Sequence, residues 1–221
     1  MFDLSSRWTE QVNGTAPRSA IEALRRDAYR RAREFAVTSP AAYAWTPSDD
    51  RATVLAIWDR DGVVATMRGT VVATCEDAEA LLECTTALNA SFFPALVLER
   101  GATRDDCRRQ GLNSWLRWHF LAAARDAGIR STLTAVFEEA PRARLMQTLG
   151  YVFVPPERVW DANIEVRKPL YVAHLRHEDM ANACTILAAS CSQACEAYPW
   201  RGPPIVLKPH VPLVMVRQRT V

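Results

Sequence analysis

The sequence contains no run of about 18 consecutive apolar residues, the least that crosses a bilayer as a helix. Residues 1–7 hold no apolar stretch of the kind a secretory leader needs. The expectation is a soluble protein of the reducing cytoplasm. One-sided charge is also missing. Lys and Arg number 27 against 25 Asp and Glu, a formal net charge of +2. A surface basic enough to follow nucleic acid is therefore excluded. None of the six cysteines, at 75, 84, 107, 184, 191 and 195, stands in a C-x-x-C pair. The four histidines, at 119, 174, 177 and 210, complete no zinc pattern. His174 and His177 form an H-x-x-H at the end of a strand-like run, and no metal is expected there. A disulfide framework is unneeded, because 221 residues at 49% apolar content bury a core of their own. Repeats and low-complexity segments are absent.

Residues 95–98 form a short apolar run suited to a buried strand. A basic turn follows, then residues 113–127, rich in helix formers, with Gly128 where a left-handed cap is wanted. Between strand and helix stands Arg108-x-x-Gly111-x-Asn113. Such a turn aims several backbone N–H groups at one spot beside the positive end of a helix dipole. Gly111 permits close backbone approach, and Arg108 and Arg109 add charge. The product is an anion site suited to a pyrophosphate or phosphopantetheine phosphate. A plain basic strand-to-helix turn is the alternative reading.

In chain order, residues 1–17 read as a loose arm and a helix begins at 18 or 19. Ile21, Leu24, Tyr29 and Phe35 are its large apolar residues, among Arg25, Arg26, Arg30, Arg31 and Arg33. That arginine run reads either as a solvated face or as a patch for an acidic carrier protein. Residues 40–50 form a loop carrying Tyr43 and Trp45, which cap a core or line a pocket. Residues 53–58 and 63–72 are paired strands around a turn with Asp61-Gly62. A helical segment spans 76–88. Residues 131–137 are β-branched and strand-like. Pro141 opens a helix to Leu149, Gly150 ends it, and 151–154 return as strand. Another strand covers 169–175, and a helix 180–198, with Cys184, Cys191 and Cys195 as small packing residues near one face. A Pro-rich tail ends in an edge strand at 211–217. The fold class is a mixed α/β sheet flanked by helices. The chain divides into the arm 1–17, a domain 18–175, and a C-terminal helix and Pro-rich extension, 176–221, packed on the same domain.

Three motifs in this order resemble the GNAT N-acyltransferases, over roughly residues 20–175. Residues 98–113, with Glu99, Arg100, Ala102, Thr103, Arg108, Gly111 and Asn113, resemble the family's strand and R/Q-x-x-G-x-G/A loop. Ala143, Leu145, Leu149, Gly150 and Tyr151 resemble its late helix and LGF/LGY ending. Residues 61–68, ending in Arg68, are similar to its dG-vvGt-R hairpin. That hairpin and Arg100 are nearest the branch of acyl-homoserine-lactone synthases and long-chain N-acyl amino acid synthases, whose members often use acyl-carrier-protein thioesters.

The resemblance implies a GNAT-like sheet with a C-terminal extension. It implies acyl transfer from an acyl-CoA or acyl-carrier-protein thioester to the primary amine of a small molecule, amino acids included. No metal, nucleic acid or membrane-spanning segment takes part, and monomer or homodimer stays open. Arg108, Arg109, Gln110, Gly111, Leu112 and Asn113 would hold the phosphates, and Ala102 and Thr103 would offer backbone groups to the pantetheine. Glu99, with Arg100 beside it, would take the proton of the incoming amine. An ion-paired structural Glu99 is the competing reading. Three departures stand out: Asn113 replaces Gly or Ala in the loop, Met146 replaces the tyrosine acid, and Glu139 replaces the asparagine before the late helix. An acetyl-CoA-dependent N-acetyltransferase and a non-catalytic acyl-CoA-binding module are the alternatives.

Overall fold

The computed structural model describes residues 7–210. Seven strands form one sheet in the order β1 (Trp8–Gln11), β3 (Thr53–Asp59), β4 (Gly62–Val72), β5 (Ala95–Thr103), β6 (Ser131–Phe137), β9 (Leu170–Arg176), β7 (Val152–Val154). Every pairing is antiparallel except β5 with β6. β2 (Phe35–Val37) and β8 (Ile164–Val166) make a separate two-stranded ladder. The helices are α1 (Arg18–Tyr29), α2 (Pro47–Arg51), α3 (Cys75–Leu82), α4 (Leu112–Asp126), α5 (Pro141–Thr148), α6 (His177–Ser190) and α7 (Ser192–Ala197). No helix among the described residues is long and apolar enough to cross a membrane.

The central strands are buried on both faces, which explains their nearly continuous apolar runs. Val54 and Ala56 pack with Ile21 and Leu24 of α1, while Leu55 and Ile57 face the opposite way. Val97 and Leu133 meet α3 through Ala78 and Leu82. Leu96, Leu98 and Val136 share a larger cluster with α4, α5 and α6. The sheet thus carries α1 to α3 on one face and α4 to α7 on the other.

Several expectations change. The arm at 1–17 contains strand β1, whose Trp8 to Gln11 pair with Trp58 to Leu55. Its Val12 is buried, so the chain there is held by the hairpin. The first helix stops at Tyr29, and Phe35 opens β2. The loop at 40–50 holds a short 3-10 turn at Pro40–Ala42 and then α2, with Pro47 at its first turn. The helix expected over 180–198 begins at His177 and breaks at Cys191 into α6 and α7. Cys184 and Cys191 are buried as packing residues, but Cys195 is exposed. Beyond α7, Thr9 N donates to the Pro199 carbonyl and Arg201 N to the Thr9 carbonyl, on either side of the bridge to Trp200, covering the exposed edge of β1. The edge strand expected at 211–217 lies outside the described residues.

Gly69, on β4, has a packing reason. A Cβ there would come within 2.4 Å of Cε1 of Phe120, whose ring is fully buried. Gly69→Ala is expected to cost about 1–3 kcal/mol through overpacking. Thermal melts should show Tm falling by several degrees, and Gly69→Ala combined with Phe120→Leu should recover part of the loss.

Candidate active site

β5 and β6 pair only over three residues, Ala95 to Val97 with Ser131 to Leu133. Beyond them β5 stays with β4, and β6 stays with β9 to Phe137. The two neighbours therefore part, and each carries an open edge of backbone donors and acceptors into the gap. Counting from the last pair, Glu99 stands level with Ala135 across that gap.

A bulge decides where the β5 side chains go. Between the pairs Thr66–Ala102 and Arg68–Glu99, β4 supplies one residue and β5 two, with Arg100 at a φ of 53°. An unbroken strand would send Glu99 and Arg100 to opposite faces. Here both meet the α1–α2 side. Arg68 donates from Nη2 and Nε to Oε1 of Glu99, at 2.7 and 3.0 Å. Both bonds fall on Oε1, which leaves Oε2 without a hydrogen bond among the described residues. Arg100 donates to the carbonyls of Ala44 and Ala41 at 2.9 and 3.3 Å, fastening that loop over the mouth of the gap.

Beneath these side chains lies Asp49, fully buried. Its Oδ1 is 2.9 Å from Arg25 Nη1 and 3.4 Å from Arg68 Nη1, and its Oδ2 is 3.9 Å from Arg100 Nη1. Burial would raise the Asp49 carboxyl, but Arg25, Arg68 and Arg100 overcome it and hold the pKa below the ordinary value. For Arg25 burial prevails and the pKa falls. The arginine run of α1 is therefore not wholly a solvated face, because Arg25 has no exposed surface.

The turn after β5 has the form expected of an anion site. Arg109 and Gly111 have φ of 63° and 76°, and the N–H groups of residues 109–114 meet no acceptor among the described residues. Arg108, Arg109 and Gln110 are exposed, while Leu112 is buried under the helix. Arg104 staples the turn to the hairpin, donating to Asp59 at 2.7 and 3.3 Å. The space that Gly111 leaves is taken by the chain itself, since a Cβ there would lie 3.3 Å from Cα of Cys191 and from the Ser190 carbonyl. Asn113 folds back onto β5, its amide nitrogen 3.3 Å from a Cβ built at Gly101. Ala102 is buried and Thr103 half-buried at the end of the strand. Met146 is fully buried in the core beneath α5.

Two acids that the sequence reading missed also adjoin this site. Glu83, in the left-handed conformation at the end of α3, shares a hydrogen bond with Asp161 and lies in electrostatic reach of Glu99 and Arg100. Burial first, then Asp161, pushes the Glu83 carboxyl up to about 8. The pairing of residues 83–85 with 158–160 makes the approach, through Trp160 N to Glu83 O at 2.9 Å and Thr85 N to Arg158 O at 2.9 Å. No local pattern in sequence announces that contact.

A cavity of about 340 Å³ opens beside the gap, lined by Tyr29, Phe35, Val37, Tyr43, Arg30 and Arg167 among others. Phe35 stacks on Phe137 at the end of β6, with centroids 5.6 Å apart.

Because Glu83 holds its proton more tightly folded than unfolded, its contribution to stability is complete below its ordinary pKa of 4.5 and is lost as pH rises through about 8. Melts between about pH 5 and about pH 9 should show Tm falling with pH, and Glu83→Gln should flatten that fall. An unchanged slope in Glu83→Gln would refute the assignment.

No protein-family model matches the sequence, and comparison with curated protein sequences finds no match. Solved structures do match. The N-acyl amino acid synthase FeeM from uncultured soil microbes superposes with a TM-score of 0.58 at 14% identity, covering 83% of this chain and 97% of its own. The CoA-dependent acyl-homoserine lactone synthase BjaI, solved with SAM and isopentyl-CoA, gives 0.53 at 14% identity over 90% of this chain and 95% of its own. The ribosomal-protein-S18-alanine N-acetyltransferase from Escherichia coli gives 0.51 at 16% identity, covering 77% and 93%. At these identities the likeness is one of fold: this chain has the fold of the GNAT N-acyltransferases.

Proposed function

We propose that the chain is a GNAT-type N-acyltransferase that moves an acyl group from an acyl thioester to a primary amine. The observation that carries this is the gap between β5 and β6, with Glu99 on one wall and an N–H-bearing turn at the end of the same strand. The donor's phosphates bind the unmet N–H groups of residues 109–113, with the side chains of Arg108 and Arg109 adding charge. Its pantetheine runs along the open edge at Ala102 and Thr103, as a neighbouring strand would. Oε2 of Glu99, directly or through water, takes the proton of the amine. The amine nitrogen attacks the thioester carbon, the C–N bond forms, the C–S bond breaks and a thiolate departs. Backbone N–H groups at the strand end stabilise the tetrahedral oxyanion. Arg68 and Arg100 act as positioning residues, one for Glu99 and one for the loop.

The finer reading is a donor longer than acetyl, on CoA or on acyl-carrier protein, and an amino acid acceptor. The cavity beside the gap supports it, since Tyr29, Phe35 and Tyr43 suit apolar substituents and Arg30 and Arg167 suit a carboxylate. A carrier protein is supported by exposed Arg30, Arg31 and Arg33 at the end of α1. Arg31 lies 3.6 Å from Asp105 in the turn that leads to Arg108, so the two basic segments form one surface.

Thermal shifts with CoA, acetyl-CoA, a long-chain acyl-CoA and acyl-carrier protein test the reading. Ligand at about a hundred times its dissociation constant adds about 2.7 kcal/mol, a rise of about 5–10 °C at this size. No shift with any of them overturns the proposal, and a shift without consumption of thioester makes the chain a binding module only. Larger shifts with long acyl chains support the finer reading, whereas equal shifts favour an acetyltransferase. Glu99→Gln keeps a bond to Arg68 and should bind CoA normally, while kcat/KM drops about 10²–10⁴-fold.

A further inference from the structure

Two arginines on the α4–α7 side, Arg117 and Arg142, stand outside the network around Asp49. Arg117, on α4, is 2% exposed. Its Nη1 lies 3.4 Å from the Tyr151 hydroxyl, and its guanidinium carbon is 5.8 Å from that ring's centroid. The same hydroxyl is bonded to Thr132 Oγ1 on β6 at 2.9 Å. Arg142, on α5, donates from Nη2 to the Ala135 carbonyl at 2.9 Å, and its Nε is buried with no hydrogen-bond partner. Neither guanidinium has a carboxylate within 4.0 Å among the described residues. The charged and titratable groups acting on Arg142 are Arg117, Tyr29 and Glu34. Tyr29 comes from α1 and Arg117 from α4, on opposite faces of the sheet. Its bond to the Ala135 carbonyl, a backbone atom of β6 past the last β5–β6 pair, puts the Arg142 guanidinium at the strand edge where the sheet has parted. Burial, then Arg117, lowers the Arg142 pKa to about 10, so it remains charged near neutrality.

Arg142 is half-buried with its Nε enclosed, and Glu34, the one acid acting on it, stands beyond 4.0 Å; an anion closer to such a cation relieves the cost of its desolvation. The location of this pair says which anion. Ala135, the acceptor of the Arg142 bond, is level with Glu99 across the gap. A thioester seated there has a carboxylate on one side and a guanidinium on the other. The carboxylate takes the proton of the amine, and the group still needing compensation is the departing sulfur. Met146, on the same helix as Arg142, is buried in the core and has no proton to give a leaving group. Arg142 lies about one turn earlier on the same helix.

We propose that the Arg142 guanidinium, backed by Arg117, is an anion subsite in the gap that receives the thioester sulfur as it leaves as thiolate. The inference rests on the acyl-transfer reading above. As the C–N bond forms and the C–S bond breaks, the electron pair goes to sulfur. Arg142 keeps its proton and hydrogen-bonds the sulfur from Nε, exchanging its contact with Ala135 if needed. Thiolate, not thiol, is then the species released.

The test is the titration of free CoA bound to the intact protein, read by thiolate absorbance in the ultraviolet. A thiol ordinarily titrates at about 8.5. In the wild type the bound thiol should titrate at least about one pH unit lower, a tenfold change in the ionisation constant. In Arg142→Met it should return to the solution value with CoA still bound. Arg142→Lys should fall between, and it carries the comparison if Arg142→Met fails to fold. In turnover, Arg142→Met should reduce kcat/KM about 10²–10³-fold with an alkyl thioester and clearly less with an S-aryl thioester, whose thiol is more acidic. CoA that binds with an unshifted thiol overturns the inference while acyl transfer stands. A loss confined to KM for the acceptor also overturns it, assigning Arg142 to the acceptor's carboxylate. If CoA does not bind at all, acyl transfer itself falls, and this inference with it.

Discussion

The constraint on which the rest of this molecule depends is the Asp49 carboxylate, buried among three arginines from three elements. Arg25 comes from α1, Arg68 from β4 and Arg100 from the bulge in β5. Asp49 is itself fixed by the start of α2, where its Oδ2 accepts from Thr46 N at 2.9 Å and from Thr46 Oγ1 at 3.0 Å. One carboxylate thereby sets the distance between helix, hairpin and central strand. Buried ion pairs contribute little net stability, but losing one partner leaves charges with no water to turn to. The geometry around Glu99 is held by that necessity.

The gap follows from a different accounting, that of backbone hydrogen bonds. β5 is satisfied on one side by β4, and β6 by β9, so the sheet tolerates separation between them only if something pairs the open edges. In the described structure Arg142 meets one carbonyl of β6, and the turn after β5 keeps several N–H groups unmet. Polar backbone, buried arginines and the Glu99 carboxylate thus meet around the same gap. The α6–α7 junction presses on the back of the turn at Gly111, so the C-terminal helices help to shape that turn.

Much of the frame is legible locally. The Asp-Gly turn, the β-branched run at 131–137, Pro141 opening a helix and Gly150 closing it all appear where local chemistry places them. What local chemistry misreads is instructive. An arginine inside an amphipathic helix looks solvated unless its buried partner is known, and Asp49 lies 24 positions away from Arg25. β2 and β8 are three residues each, and 129 positions separate Phe35 from Ile164, so neither carries a pattern of its own. Glu83 and Asp161 look like ordinary surface acids until two distant loops pair.

The sequence by itself determined the periodic elements, the glycine turn between β5 and α4 and the presence of Glu99 and Arg100 on the strand before it. These rest on short-range chemistry: side-chain period, turn residues and helix dipoles act over a few positions. Only the tertiary structure decided that a bulge puts Glu99 and Arg100 on one face, that Arg25 is buried, and that Arg142, with no carboxylate within 4.0 Å among the described residues, reaches a carbonyl of β6 past its last pair with β5. Each of those depends on which distant groups share a low-dielectric interior, and charge, burial and register across a sheet are properties of the assembled fold.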